Sequence, residues 1–153
     1  GNANSFKEST WLAREAEREY AFSGISEGVG WGTPEIYAEL ENAETIVIEG
    51  DDDHDVFGDG QVVIVSTPGH TPGHQVLFVD LAETGPIVLS GDLYHTAPSF
   101  ELRRVPTFNK DEAQTRASFD KLDALMEETG ARLWIEHDYA HHESLRKSPE
   151  YYQ

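Results

Sequence analysis

Thr67-Pro68-Gly69-His70-Thr71-Pro72-Gly73-His74 writes one four-residue unit twice, and it stands between two apolar runs, Gln61–Ser66 (QVVIVS) and Gln75–Asp80 (QVLFVD). Runs so rich in β-branched and aromatic residues read as strands, which makes the octapeptide their connection. Proline fixes φ and glycine admits close backbone approach, so each Thr-Pro-Gly-His is a rigid turn ending on an imidazole. An ordinary loop has little use for such a repeat. A side chain that must be held in place for a ligand does.

Outward from this connection the chain alternates strands and helices. Pro86–Ser90 (PIVLS) is a third strand, and like Gln61–Ser66 it is apolar throughout, as expected for strands buried on both faces. Upstream, Thr10–Ala13 and Glu44–Glu49 read as strands, and Glu15–Phe22 as a helix stopped by Gly24. Gly24–Gly32 is Gly-rich and irregular. Thr33 then caps a helix with Pro34 in its first turn, running to about Leu40. Gly50–Gly60 is an acidic turn region punctuated by Gly58-Asp59-Gly60. Downstream, residues 93–108 form a long connection, of the kind that more often carries function than idles. Asn109 or Asp111 caps a helix to about Thr129, with Ala113, Phe119, Leu122, Leu125 and Met126 roughly on one side and Gly130 as its stop. Arg132–Glu136 is the last strand, and the polar tail from His137 reads as loop. The pattern predicts a single α/β domain over residues 1–153.

Three titratable residues each follow a strand: His70 after QVVIVS, Asp92 after PIVLS and His137 after RLWIE. Carboxyl ends of strands converge on one rim of a sheet, where open α/β folds place their sites. Two imidazoles and a carboxylate are a ligand set suited to zinc, manganese or iron.

Charge and composition remove other classes. There are 11 basic and 29 acidic residues, a net charge of −18, so the basic footprint required by nucleic acid or an anionic membrane is missing. Residues 8–55 hold 14 of the acidic side chains and 2 of the basic ones, read as a solvated face plus an acidic loop, without the spacing of a calcium loop. The absence of cysteine removes disulfides and thiolate chemistry and leaves the compartment open, with the cytoplasm favoured. No apolar run reaches the roughly 20 residues of a membrane span. Gly1–Ser5 has no signal-peptide character.

Thr67–His74, Ser90-Gly91-Asp92-Leu93-Tyr94 and Glu136-His137-Asp138, in that order, resemble the C-terminal half of metallo-β-lactamase-fold hydrolases, and the Pro149–Tyr152 ending extends the likeness. The branch it is most similar to is the lactonase-like one, related to N-acyl homoserine lactone hydrolases. The resemblance implies half of an αβ/βα sandwich, with a mixed sheet and helices on one face. It implies a hydrolase of small neutral lactones or esters acting through a metal-bound hydroxide, with two zinc ions in the intact family. His70 and His137 would then serve different ions bridged by Asp92, while His74 would be structural support. Family lactonases place a carbonyl-polarising Tyr three residues after the bridging Asp; here that position is His95, with Tyr94 before it. The family's His-x-His-x-Asp-His segment is absent, since the remaining histidines are His54, His95, His141 and His142. Gly1-Asn2-Ala3-Asn4 matches the stretch that follows that segment in the family.

The expectations are therefore a truncated domain that binds metal weakly or not at all and is inactive by itself, and a sheet face that needs self-association or a missing N-terminal half to cover it. Two other readings stay open, a non-catalytic interaction module of the same fold and a glyoxalase II-like thioesterase.

Overall fold

A computed structural model describes residues 3–24 and 34–153. Its centre is a five-stranded mixed sheet built from β3 (His54–Asp55), β4 (Val62–Ser66), β5 (Gln75–Leu81), β6 (Gly85–Leu89) and β7 (Arg132–Trp134), in that spatial order. All neighbours are antiparallel except β6 and β7, which run parallel. A separate parallel pair joins β1 (Trp11–Arg14) to β2 (Thr45–Ile48).

Alternation along the strands sends Val65, Val76, Phe78 and Val88 to one face of the five-stranded sheet. There they meet α3 (Glu112–Thr129), whose Phe119 and Leu122 are fully buried, with Leu125 and Met126 packed at the margin. Each fully buried side chain of this size contributes about 1.5–3 kcal/mol. Ala113, expected on this side, is exposed, and the inward face of that first turn is instead Thr115 and Ser118. The helix opens on Asp111, whose carboxylate accepts the Gln114 amide, and closes on Gly130 at φ 70°, as its sequence signals require.

The remaining elements are short. α1 (Glu15–Phe22) matches its expected span. The segment expected as a helix to Leu40 is instead two 3₁₀ turns, Pro34–Ile36 and Ala38–Asn42. Between them Tyr37 leaves the helical region (φ −137°) to set its ring edge-on to Phe22 and its hydroxyl on the Ala21 carbonyl. Asn4 clasps the same segment, donating to the Glu35 carbonyl and accepting the Glu39 amide. The expected cap Thr33, and all of Gly24–Gly32 except Gly24, lie outside the described residues. Three elements appear where loop was expected: β3, α2 (Ala97–Glu101) and α4 (Tyr139–Ser144). No helix among the described residues is long and apolar enough to cross a membrane.

Candidate metal centre

The register places the carboxyl ends of β4, β6 and β7 on one rim of the sheet, with Ser66 beside Gln75, and Leu77, Leu89 and Trp134 in line across β5, β6 and β7. The connections leaving these ends carry His70, Asp92 and His137.

The two Thr-Pro-Gly units are seats for helices. A Cβ on Gly69 would stand 2.4 Å from the Thr115 amide of α3, and one on Gly73 would stand 2.5 Å from the Glu17 amide of α1. Only glycine lets both helices approach so closely. The contacts are also bonded: the Asp111 amide donates to the Gly69 carbonyl, and the Gly73 amide donates to the Glu17 carboxylate. His70 is thereby held between α3 and the sheet rim, with its side chain 2% exposed.

Asp92 is the hub of the rim. Its carboxylate lies 3.3 Å from His70 Nε2, 3.6 Å from His95 Nε2 and 2.7 Å from His137 Nε2. The neighbouring His70 imidazole first, and then those of His95 and His137, hold the Asp92 carboxyl well below the usual carboxylate range despite partial burial. Burial pushes the His95 imidazole down, towards the neutral form. A fixed carboxylate surrounded by imidazoles is the donor chemistry of a divalent transition-metal site. Ligand atoms of His70, Asp92 and His95 lie within 4.8 Å of one another, so these three residues can share an ion.

His74 supports the centre from beneath. Its Nε2 accepts the Asp92 backbone amide at 3.0 Å, which requires Nδ1 to carry the proton facing Thr67. Gly91, at φ 49°, permits this approach, since a Cβ there would stand 2.9 Å from His74 Nε2. Burial pushes the imidazole down to about 4, so it stays neutral and keeps the lone pair that orients Asp92. With both nitrogens engaged it is not free to bind a metal.

Tyr94, expected beside the reacting groups, is not brought to them. It is extended (φ −132°, ψ 128°), so Tyr94 and His95 project to opposite sides. Its ring is fully buried, stacked on Phe119 at 4.3 Å and edge-on to Phe100, and burial pushes its phenol above the ordinary range. His95 is at the site, parallel to His137 at 5.4 Å and edge-on to Phe108.

Asn109 was not anticipated here. It reads from sequence as an alternative helix cap, yet Asp111 takes that role while Asn109 Oδ1 sits 3.1 Å from His70 Nδ1. Only residue type marks it in the sequence. A cavity of about 290 Å³ opens beside His70 and Asp92, walled by Trp11, Tyr20, Tyr37 and Leu40. It gives the rim an apolar flank.

The sequence profile of the metallo-beta-lactamase superfamily matches residues 1–142. Over 158 aligned residues the chain is 33% identical to the N-acyl homoserine lactonase AttM of Azorhizobium caulinodans, covering 99% of this chain and 58% of that protein. It is 32% identical over 100 residues to the N-acyl homoserine lactonase AiiA of Bacillus thuringiensis subsp. kurstaki, covering 63% of this chain and 40% of that one. Among solved structures, an N-acyl homoserine lactone hydrolase with the product N-hexanoyl-L-homoserine bound at its catalytic metal centre superposes with a TM-score of 0.77 at 26% identity. That match covers 97% of this chain and 54% of the other. The chain thus spans 58% of the length of the first of these curated relatives.

Proposed function

Since this chain belongs to the metallo-β-lactamase superfamily, we propose that it carries part of the active site of a metal-dependent hydrolase of small neutral lactones, with zinc as its metal. The observation that supports this reading is the convergence of His70, His95 and His137 on the carboxylate of Asp92 at the rim of the sheet. The chain's relatives named as N-acyl homoserine lactonases make a lactone the first substrate to test.

In this reading His70 and Asp92 would hold a metal, and His137, 59% exposed and 2.7 Å from the Asp92 carboxylate, would serve a second ion only where further ligands are supplied. A divalent metal, when bound, supplies Lewis-acid activation of a carbonyl and of water. The chain's own residues fix the geometry. Asn109 aims His70, and His74 orients Asp92 through its backbone amide. Trp11, Tyr37 and Leu40 offer an apolar wall to a substrate chain beside the ligands. Tyr94 takes no part.

The test is turnover of N-hexanoyl homoserine lactone by the purified chain supplied with zinc, with a glutathione thioester assayed alongside. Lactone opening is expected, dependent on zinc and lost in Asp92→Ala. Faster thioester cleavage would move the reading to a thioesterase. A folded, zinc-loaded chain with no turnover on either substrate would leave the non-catalytic module.

A further inference from the structure

We infer that His95 joins His70 and Asp92 as the third ligand of one divalent cation, giving this chain a metal position built without the family's His-x-His-x-Asp-His segment. The inference rests on the reading of this rim as a metal centre.

The hydrogen-bond network assigns the protons. Thr115 spends its single hydroxyl proton on the Asp111 carbonyl at 2.7 Å, so towards Asn109 it can only accept. The Asn109 atom facing it at 3.1 Å is therefore the amide nitrogen, which turns Oδ1 towards His70. Against that acceptor His70 Nδ1 must donate. Nε2 is then the ring atom facing the Asp92 carboxylate, at 3.3 Å, and the one through which His70 can reach a shared ion.

The distances separate ligands from hydrogen-bond partners. Around a tetrahedral ion with bonds of about 2.0–2.1 Å, ligand atoms stand roughly 3.3 Å apart. His70 Nε2 lies 3.3 Å from Asp92 Oδ2 and His95 Nε2 3.6 Å from Oδ1, ligand-to-ligand spacing around an ion seated at that carboxylate. His137 Nε2, at 2.7 Å, is at the distance of a charge-assisted hydrogen bond. Among the described residues His95 has no competing hydrogen bond: its Nδ1 is buried without a partner, and 3.6 Å is too long for Nε2 to hydrogen-bond Asp92. What holds the ring is aromatic contact with Phe108 and His137, which fixes its plane and leaves its nitrogens available. The residue at the position of the family's tyrosine thus becomes a metal ligand.

Zinc binding to the purified chain, measured by calorimetry and by the visible spectrum of the cobalt-substituted protein, tests this. One ion per chain is expected. His95→Phe keeps the ring contacts and removes the nitrogens, so its metal-free melting temperature should change little. Its zinc affinity should fall by about a hundredfold or more, at or beyond the 10–100-fold loss typical of residues that only orient ligands. His137→Phe should lose about tenfold or less, and His95→Ala serves if the phenylalanine disturbs folding. Equal zinc affinity in His95→Phe and the unmodified chain, or a larger loss in His137→Phe, overturns the role of His95 and leaves the hydrolase reading standing. Failure of the unmodified chain to bind zinc overturns both.

Discussion

Asn109 decides which nitrogen of His70 faces Asp92, and it does so from outside the charged cluster. Removing the amide in Asn109→Ala lets the ring rotate and exchange tautomers, so zinc affinity should drop by about 10–100-fold. Asn109→Asp retains an oxygen opposite Nδ1 and should recover most of the binding. Calorimetry on both variants, beside their metal-free melting curves, checks this; equal affinity in Asn109→Ala and the unmodified chain would show that the ring is held by packing alone. At this scale the meeting of His70, Asp92 and His137 was legible because each follows a strand that announces itself by composition. Asn109 was not, because its partner lies 39 residues earlier and nothing local marks an asparagine as facing an imidazole. Tyr94 and His95 were indistinguishable as neighbours until the extended backbone sent one into the core and the other to the rim.

At the scale of elements, Gly69 and Gly130 do two different jobs. Gly69 combines φ 133° with backbone of α3 at 2.4 Å from where a Cβ would stand, whereas Gly130, at φ 70°, has nothing within 4 Å. Gly130→Ala should therefore cost only the left-handed penalty, about 1–2 kcal/mol. Gly69→Ala must also push α3 off the turn, so its cost should exceed about 3 kcal/mol, by adding strain of roughly 1–3 kcal/mol to lost packing. Urea denaturation compares them directly, and equal losses would mean that α3 does not depend on the turn. The long helix and the six strands other than β3 were readable because periodicity, caps and apolar runs are local signals. β3, α2 and α4 were not. α2 and α4 share one carboxylate, with Asp138 accepting the Ala97 amide on one oxygen and the His141 amide on the other. Two helices of five and six residues stabilised by a common side chain have no separate signature in sequence. The two-residue β3 is similar: Asp55 gathers the Phe57, Gly58 and Gly60 amides to shape the hairpin, and those bonds hold its carboxyl below the usual range.

Across the whole molecule, the five-stranded sheet is apolar on both faces but covered unequally. One face meets α3. The other carries Val62, Ile64, Leu77, Val79, Ile87, Leu89 and Trp134 in register, and of these only Ile64 and Ile87 are buried. Ile46 and Val47 of β2 add further exposed apolar surface. Contiguous half-covered apolar area favours association with a second copy of the chain, while a net charge of −18 opposes it. The two terms respond oppositely to salt. Repulsion is screened beyond about 10 Å at 0.1 M and within about 3 Å at 1 M, whereas burial of apolar surface is undiminished. We predict that light scattering at micromolar concentration finds a species larger than one chain, and that its share grows as salt is raised. Leu77→Glu, which places another charge in the middle of the half-covered face, should reverse that growth. A single-chain species at every salt concentration, with no binding of a hydrophobic dye, would mean that the face is already sufficiently covered within the chain.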